Sequence, residues 1–258
     1  MPLAVISDIH SNLDALQAVL ADIDTRQIQQ IVCLGDVVGY GPQPAECLDL
    51  VIQRCQVCLM GNHDYAVMFE PYNFNTGAEA ACFWTRRQLE GLGPPEARSR
   101  RWEFLGLMPV KHTIQSAVER QGEMVFVHGS PRRPINEYVF PDDVYTNPGK
   151  IHSLFERFGK LCFVGHTHVP GVFFDTPDFY APDELDGRYE ISENYKALIN
   201  VGSVGQPRDR DNRASYAVVD EDVVQFVRVP YDVDAVIAKM HGVGELDEYL
   251  ADRLREGR

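Results

Sequence analysis

Apolar residues along the chain come in short unbroken runs that alternate with stretches of helical spacing. The first run, PLAVIS at 2–7, is followed by Leu13, Leu16, Leu20 and Ile23 at intervals of three and four, with Ser11 or Asn12 as cap. A second run, IVCLG at 31–35, leads through a turn-rich GYGPQP into AECLDLVIQRC, which has helical periodicity. QVCLMGN at 56–62 reads as a third strand closed by glycine. Strand, loop and helix repeated in this order predict parallel β-α-β units.

The pattern changes after residue 70. Thr76 with Glu79 makes a capping box for a helix reaching about Glu90, GLGPP interrupts it, and a second helical stretch around Trp102 stops before Pro109. Alternating segments at 110–118 and 123–128 precede a proline-rich loop at 130–134 and an irregular stretch to Gly149. A short helix then leads into KLCFVGHTH. Residues 172–200 read as a β-hairpin excursion, SYAVVD and VVQFVRV as a closing hairpin, and ELDEYLADRLREGR as an amphipathic terminal helix. No repeat, low-complexity segment or linker interrupts the 258 residues, so one domain with a helical insertion at about 70–110 is expected.

Composition narrows the function classes. With 45% hydrophobic and 24% charged residues, the chain has the make-up of a globular domain with a sizeable core. Its 24 basic and 38 acidic residues give a formal charge of −14, which disfavours broad binding to nucleic acid or to an anionic membrane surface. No secretory pattern opens the sequence and no run nears the ~20 apolar residues of a membrane helix, so a cytoplasmic protein is expected. Its six cysteines, Cys55 and Cys58 among them, then read as reduced core thiols. Oligomeric state leaves no trace in the pattern.

The chemistry collects where the apolar strands end. Asp8 and His10 follow the first, Asp36 the second, and Asn62, His63 and Asp64 the third, while His128 and then His166 and His168 close the later ones. In an open α/β sheet, loops at the strand carboxyl ends converge on one crevice. Residues at i and i+2 of an extended segment project to the same side, so Asp8/His10 and His166/His168 would each offer two donors to one point. Oxygen donors mixed with imidazoles suit Mn, Fe, Zn or Co better than calcium.

The series D-x-H, G-D, G-N-H-D, H and G-H-x-H, from Asp8 to His168, resembles the calcineurin-like metallophosphoesterase superfamily. The resemblance implies a four-layer α/β/β/α sandwich, with two central sheets flanked by helices and a two-metal centre at the strand ends. It implies one metal on Asp8, His10, Asp36 and His168, and another on Asp36, Asn62, His128 and His166. Asp36 would bridge along with a hydroxide. The expected metals are Mn most readily in vitro, with Fe, Zn, Co or Ni as alternatives. His63 would point at the phosphate and protonate the leaving group. Two ions ~3.5–4 Å apart lower the pKa of a shared water and neutralise phosphoryl oxygens.

The second motif departs from the family pattern G-D-x-x-D-R. Gly39 stands where an aspartate would pair with the histidine, and Tyr40 where an arginine would hold phosphate. G-S-V-G-Q-P-R-D at 202–209, with D-V-V-G-Y-G-P, resembles a bacterial and archaeal branch of these phosphoesterases. Ser203, Gln206 and Arg208 there, together with Tyr40, are candidate substrate contacts, and the alternative is a structural turn with Arg208 paired to Asp209 or Asp211. Arg132 and Arg133 are a second source of positive charge. The expected activity is hydrolysis of a phosphomonoester or phosphodiester of a small metabolite or nucleotide. The rival readings are a nuclease and a catalytically weak scaffold of the same fold.

Overall fold

Leu161–Val164 is apolar at every position because both of its faces are covered. Leu161 and Phe163 pack between two sheets, while Cys162 and Val164 pack against an outer helical layer. A computed structural model describes residues 1–258. In chain order the first half-sheet holds β1 (Leu3–Ile6), α1 (Leu13–Thr25), β2 (Gln30–Cys33), α2 (Pro44–Arg54), β3 (Val57–Cys58) and α3 (Asn62–Met68). The helical insertion follows as α4 (Thr76–Gly91) and α5 (Pro95–Leu107). Next come β4 (Lys111–Gln115), β5 (Glu123–Val127), α6 (Asp143–Thr146), α7 (Pro148–Phe155) and β6 (Leu161–Val164). The remainder is β7 (Gly171–Phe174), β8 (Asp178–Tyr180), β9 (Arg188–Glu190), β10 (Ala197–Asn200), β11 (Ala214–Asp220), β12 (Val223–Val229), α8 (Val233–His241) and α9 (Glu248–Asp252).

The strands form two mixed sheets of six, in the orders β3-β2-β1-β11-β12-β9 and β4-β5-β6-β10-β7-β8. Strands β1, β2 and β3 run parallel, as the β-α-β alternation predicts. Leu3 and Val5 of β1 face the other sheet, and Ala4 and Ile6 face α1 and α2. Between the sheets, Phe126 and Phe163 stack at 5.1 Å, so truncating Phe163 to alanine would cost ~3–5 kcal/mol. Helices α1 to α5 cover the first sheet, and α6 and α7 cover the second. The result is the four-layer α/β/β/α sandwich. No helix is long and apolar enough to cross a membrane.

Four local expectations are corrected. Residues 56–62 are not one strand: β3 has two residues, and the chain turns at Gly61 into helix α3. Asn75, not Thr76, caps α4, its side chain accepting from the Ala78 N–H at 2.9 Å. The 172–200 stretch carries a β7–β8 hairpin, but β10 is a fully buried strand between β6 and β7, and β9 joins the edge of the opposite sheet. The tail is not one helix. It is the short α9 followed by a 3-10 turn at Arg253–Glu256, with Leu250 and Leu254 packed among Tyr40, α4 and α8.

Candidate metal centre

Every donor predicted from the sequence reaches one end of the sandwich. Asp8 and His10 follow β1, Asp36 follows β2, Asn62 and His63 open α3, His128 follows β5, and His166 and His168 follow β6. All are buried. The expected extended geometry is replaced by left-handed backbone: φ is 56° at Asp8, 49° at His10, 51° at Asp36, 64° at His166 and 62° at His168. Such residues cost ~1–2 kcal/mol each, and Asp and His tolerate the region better than most. One left-handed residue on either side of a single spacer turns each pair inward.

Backbone bonds hold these loops in register. Asp8 N–H donates to Gly35 O at 3.0 Å, His10 N–H to Asp36 O at 2.9 Å and Gly165 N–H to His128 O at 2.9 Å. The Asp64 carboxylate braces the second loop, accepting from the N–H groups of Asp36 (2.7 Å), Gly61 (3.0 Å), Val37 (3.0 Å) and Val38 (3.2 Å). It is therefore turned away from its neighbour His63. Gly61 permits this approach, because a Cβ there would overlap the Asp36 carboxylate.

The donor atoms fall into three overlapping clusters no more than 4.8 Å across: Asp8, His10 and His168; His10, Asp36 and His63; and Asp36, His128 and His166. Asp36 joins the last two, its Oδ2 lying 3.7 Å from His10 Nε2 and 3.4 Å from His128 Nε2. Its Oδ1 accepts from the His63 N–H at 2.8 Å, leaving Oδ2 for other partners. Asn62 Oδ1 lies 3.2 Å from His128 Nε2.

The residues fit divalent ions. His168 Nδ1 lies 2.6 Å from Gln206 O and His10 Nδ1 3.3 Å from Val38 O, contacts that put each ring's proton on Nδ1. The bare Nε2 atoms then face each other at 3.1 Å, lone pair to lone pair, an arrangement that a cation relieves. Asp8 Oδ1 is buried without an aligned hydrogen bond although His168 Nε2 is 3.0 Å away. Burial lowers the pKa of His10, His168 and His166, the last to about 3, keeping these rings neutral and able to coordinate. Burial opposes charge on Asp36 as well, but His128 and His63 outweigh it and hold that carboxyl well below its ordinary value. His128 goes the other way: against burial, Asp36 and Asp8 raise it to about 9, so this ring would give up its proton to an ion that binds there.

The substrate-side candidates separate. Ser203 donates to Asp8 O at 2.8 Å and accepts from Gln206 N–H at 2.8 Å, so its hydroxyl is a loop brace. Gln206 holds His168 through its carbonyl and Arg208 through its side chain, 2.7 Å from an Arg208 nitrogen. Arg208 is not paired with either nearby acid, since Asp209 takes Arg228 and Asp211 takes Arg213. Arg132 is held by Glu137, and Arg133 is exposed. Tyr40, itself left-handed at φ 55°, packs its ring 4.3 Å from His63 and 4.7 Å from His10. Sequence reasoning missed Cys82, with Sγ 3.7 Å from His63 Nδ1, and Tyr138, whose ring stacks on His166 at 3.8 Å. Cys82 lies on the apolar stripe of α4 and gave no sign of this contact.

A two-sheet α/β sandwich that gathers carboxylates, imidazoles and an amide at its strand ends is the architecture of a metallophosphoesterase. Residues 1–170 match the family model of the calcineurin-like phosphoesterases, and the chain belongs to that family. It is similar to a metallophosphoesterase of Sphaerobacter thermophilus, with 36% identity, a TM-score of 0.80, and coverage of 100% of this chain and 99% of that one. It also resembles uncharacterized protein MJ0912 of Methanocaldococcus jannaschii, 39% identical over 99% of this chain and 98% of the relative. Hypothetical protein PH1004 of Pyrococcus horikoshii OT3 shares the fold at 20% identity, with a TM-score of 0.76 and coverage of 100% and 98%.

Proposed function

We propose that this chain hydrolyses phosphoester bonds of a small phosphorylated metabolite or nucleotide at a two-metal centre. The observation that carries the reading is the place of Asp36 Oδ2, within 3.7 Å of His10 and 3.4 Å of His128. Asp8, His10, Asp36 and His168 would hold one ion, and Asp36, Asn62, His128 and His166 the second, with Mn the ion to try first. When bound, such ions neutralise phosphoryl oxygens and bring the pKa of water towards neutrality.

The chain's own groups do the rest. Burial lowers His63 to about 4, so at neutral pH it is a neutral imidazole that donates one hydrogen bond to a phosphoryl or leaving oxygen. It carries no extra proton to release as an acid. A cleft of about 320 Å³ opens beside Asn62, lined by Tyr65, Tyr72, Phe74 and Ile135, and gives a flat apolar leaving group a place to lie. The net charge of −14 favours a small substrate over a polynucleotide. Six unpaired cysteines fit a reducing compartment, so the cytoplasm is the proposed setting.

The test is calorimetry with Mn²⁺ on chelator-stripped protein, followed by turnover of p-nitrophenyl phosphate. Two binding events are expected. Asp36→Asn should weaken both and lower turnover more than His10→Ala or His166→Ala. Absence of Mn²⁺ binding would reject the reading, and equal losses across the three variants would reject the shared ligand.

A further inference from the structure

Position 40 carries no guanidinium, yet two are stacked on the residue found there. Arg208 Cζ lies 6.0 Å from the centre of the Tyr40 ring, and Arg253 Cζ lies 4.9 Å from it. The same ring touches His10 and His63, so both cations stand at the edge of the donor clusters. Neither forms an ion pair, in a chain with 38 acidic residues and 24 basic ones. Arg208 has one side-chain bond, to Gln206, and its Nε is buried with no partner. Arg253 has Nε and one terminal nitrogen buried with no partner.

Two like charges around one tyrosine ring, with buried N–H groups unmet, are costly unless an anion offsets them. Burial and the charge of Arg208 both lower the pKa of Arg253, which is the same conflict seen from the proton side. The position of Arg253 is not accidental to a loose tail. Leu250 and Leu254 on either side of it are buried against Tyr40, α4 and α8, and Arg258 N–H and Gly257 O tie the last turn down through Arg253 O and Arg210 N–H.

We propose that Arg208 and Arg253 together bind the terminal phosphoryl group of the substrate, so that the C-terminal turn supplies the guanidinium that the second motif lacks. This rests on the phosphoesterase reading and adds a preference to it. Guanidinium forks match the three terminal oxygens of a monoester dianion. A diester offers two non-bridging oxygens and one charge, so it uses the pair less well. The clamp therefore selects monoesters.

The test uses the full-length protein loaded with Mn²⁺, with inorganic phosphate as ligand, and p-nitrophenyl phosphate and bis-p-nitrophenyl phosphate as substrates. Arg253→Met and Arg208→Met should each weaken phosphate binding at least tenfold by calorimetry, with Mn²⁺ content unchanged. Their monoester kcat/KM should fall at least tenfold more than their diester kcat/KM. Arg258→Met, on the exposed end of the same tail, should leave both unchanged. Arg253→Lys keeps the charge without the fork, and serves if the methionine variant melts early; it should show the same preference shift, smaller in size. Phosphate binding unaltered in Arg253→Met or Arg253→Lys, or equal losses on the two esters, would overturn the clamp while leaving the phosphoesterase reading intact. Phosphate binding lost in the variants of a protein that hydrolyses neither ester would uphold the anion site and reject the hydrolase.

Discussion

The thiol of Cys82 lies 3.7 Å from Nδ1 of His63, on an imidazole whose other neighbours include His10, Gly39, Tyr40 and Phe74. Burial and the charge of Asp36 push the Cys82 thiol up to about 12, so it keeps its proton. With the thiol as donor, Nδ1 would be the acceptor and the ring proton would sit on Nε2. The contact occupies the nitrogen that, by the family pattern, an aspartate at position 39 would face.

Cys82→Ala should lower kcat by roughly 2- to 10-fold, the worth of one modest hydrogen bond, with KM and Mn²⁺ content unchanged. Cys82→Ser keeps a donor and should recover most of the loss. Equal losses in Ala and Ser would mean that the sulfur only fills space.

Gly39 is the second constraint on that ring. Its φ is +91°, and a Cβ there would run into His63 at Nδ1. Installing the family residue, Gly39→Asp, should therefore displace the imidazole and lower kcat by ~10²-fold, the scale of losing one preorganised donor. Steady-state assays on metal-replete protein decide this; a more active Gly39→Asp would show that the ring has room.

Ser11, directly after the donor His10, offers a stability test within the first loop. It is buried at φ 55° with its hydroxyl unpartnered, so the position stores strain and an unmet polar group. Ser11→Gly should stabilise the protein by ~1 kcal/mol, raising Tm by ~2–4 °C in calorimetry. A fall in Tm would mean that the hydroxyl packs too well to lose.

Acid sensitivity should come in part from Asp49. Burial opposes its charge, but Arg101 and Arg100 outweigh that and hold the carboxyl below its usual value. Arg101 binds it with two nitrogens, at 3.1 and 2.5 Å, joining the inserted helix α5 to α2. A carboxyl lowered in the folded state adds stability above its unfolded value of ~4, and loses it as pH falls through the folded value. Asp49→Asn should cost ~1–2 kcal/mol at pH 7 and flatten the decline in stability below pH ~4, by urea unfolding across pH. An unaltered acid limb would count against the pair.

The donor series was legible because each member sits where an apolar run stops, and order alone distinguished it from scattered histidines. Its geometry was not. Left-handed backbone at Asp8, His10 and Asp36 is imposed by loops packing on one another, which no local pattern records. Helix α3 left no signal beyond Asn62, the last residue of the run that reads as a strand, because it has seven residues and opens on Gly61, which offers no side-chain cap. Helix α8 did carry a signal, with Val233, Val236, Ile237 and Met240 at helical spacing behind Asp232. Arg253 was invisible for a different reason: in an amphipathic tail a charge reads as a solvated face, and only tertiary packing turns it inward.

Strand β11 lies beside β1, and β10 beside β6. A nascent chain that has reached residue 170 already carries every donor from Asp8 to His168. It still lacks β11 and β10, one of the two strands beside β1 and β6 respectively, the Ser203 hydroxyl and Gly205 N–H that hold Asp8 O, and the Gln206 carbonyl that fixes His168. The donors are thus made early and aligned late.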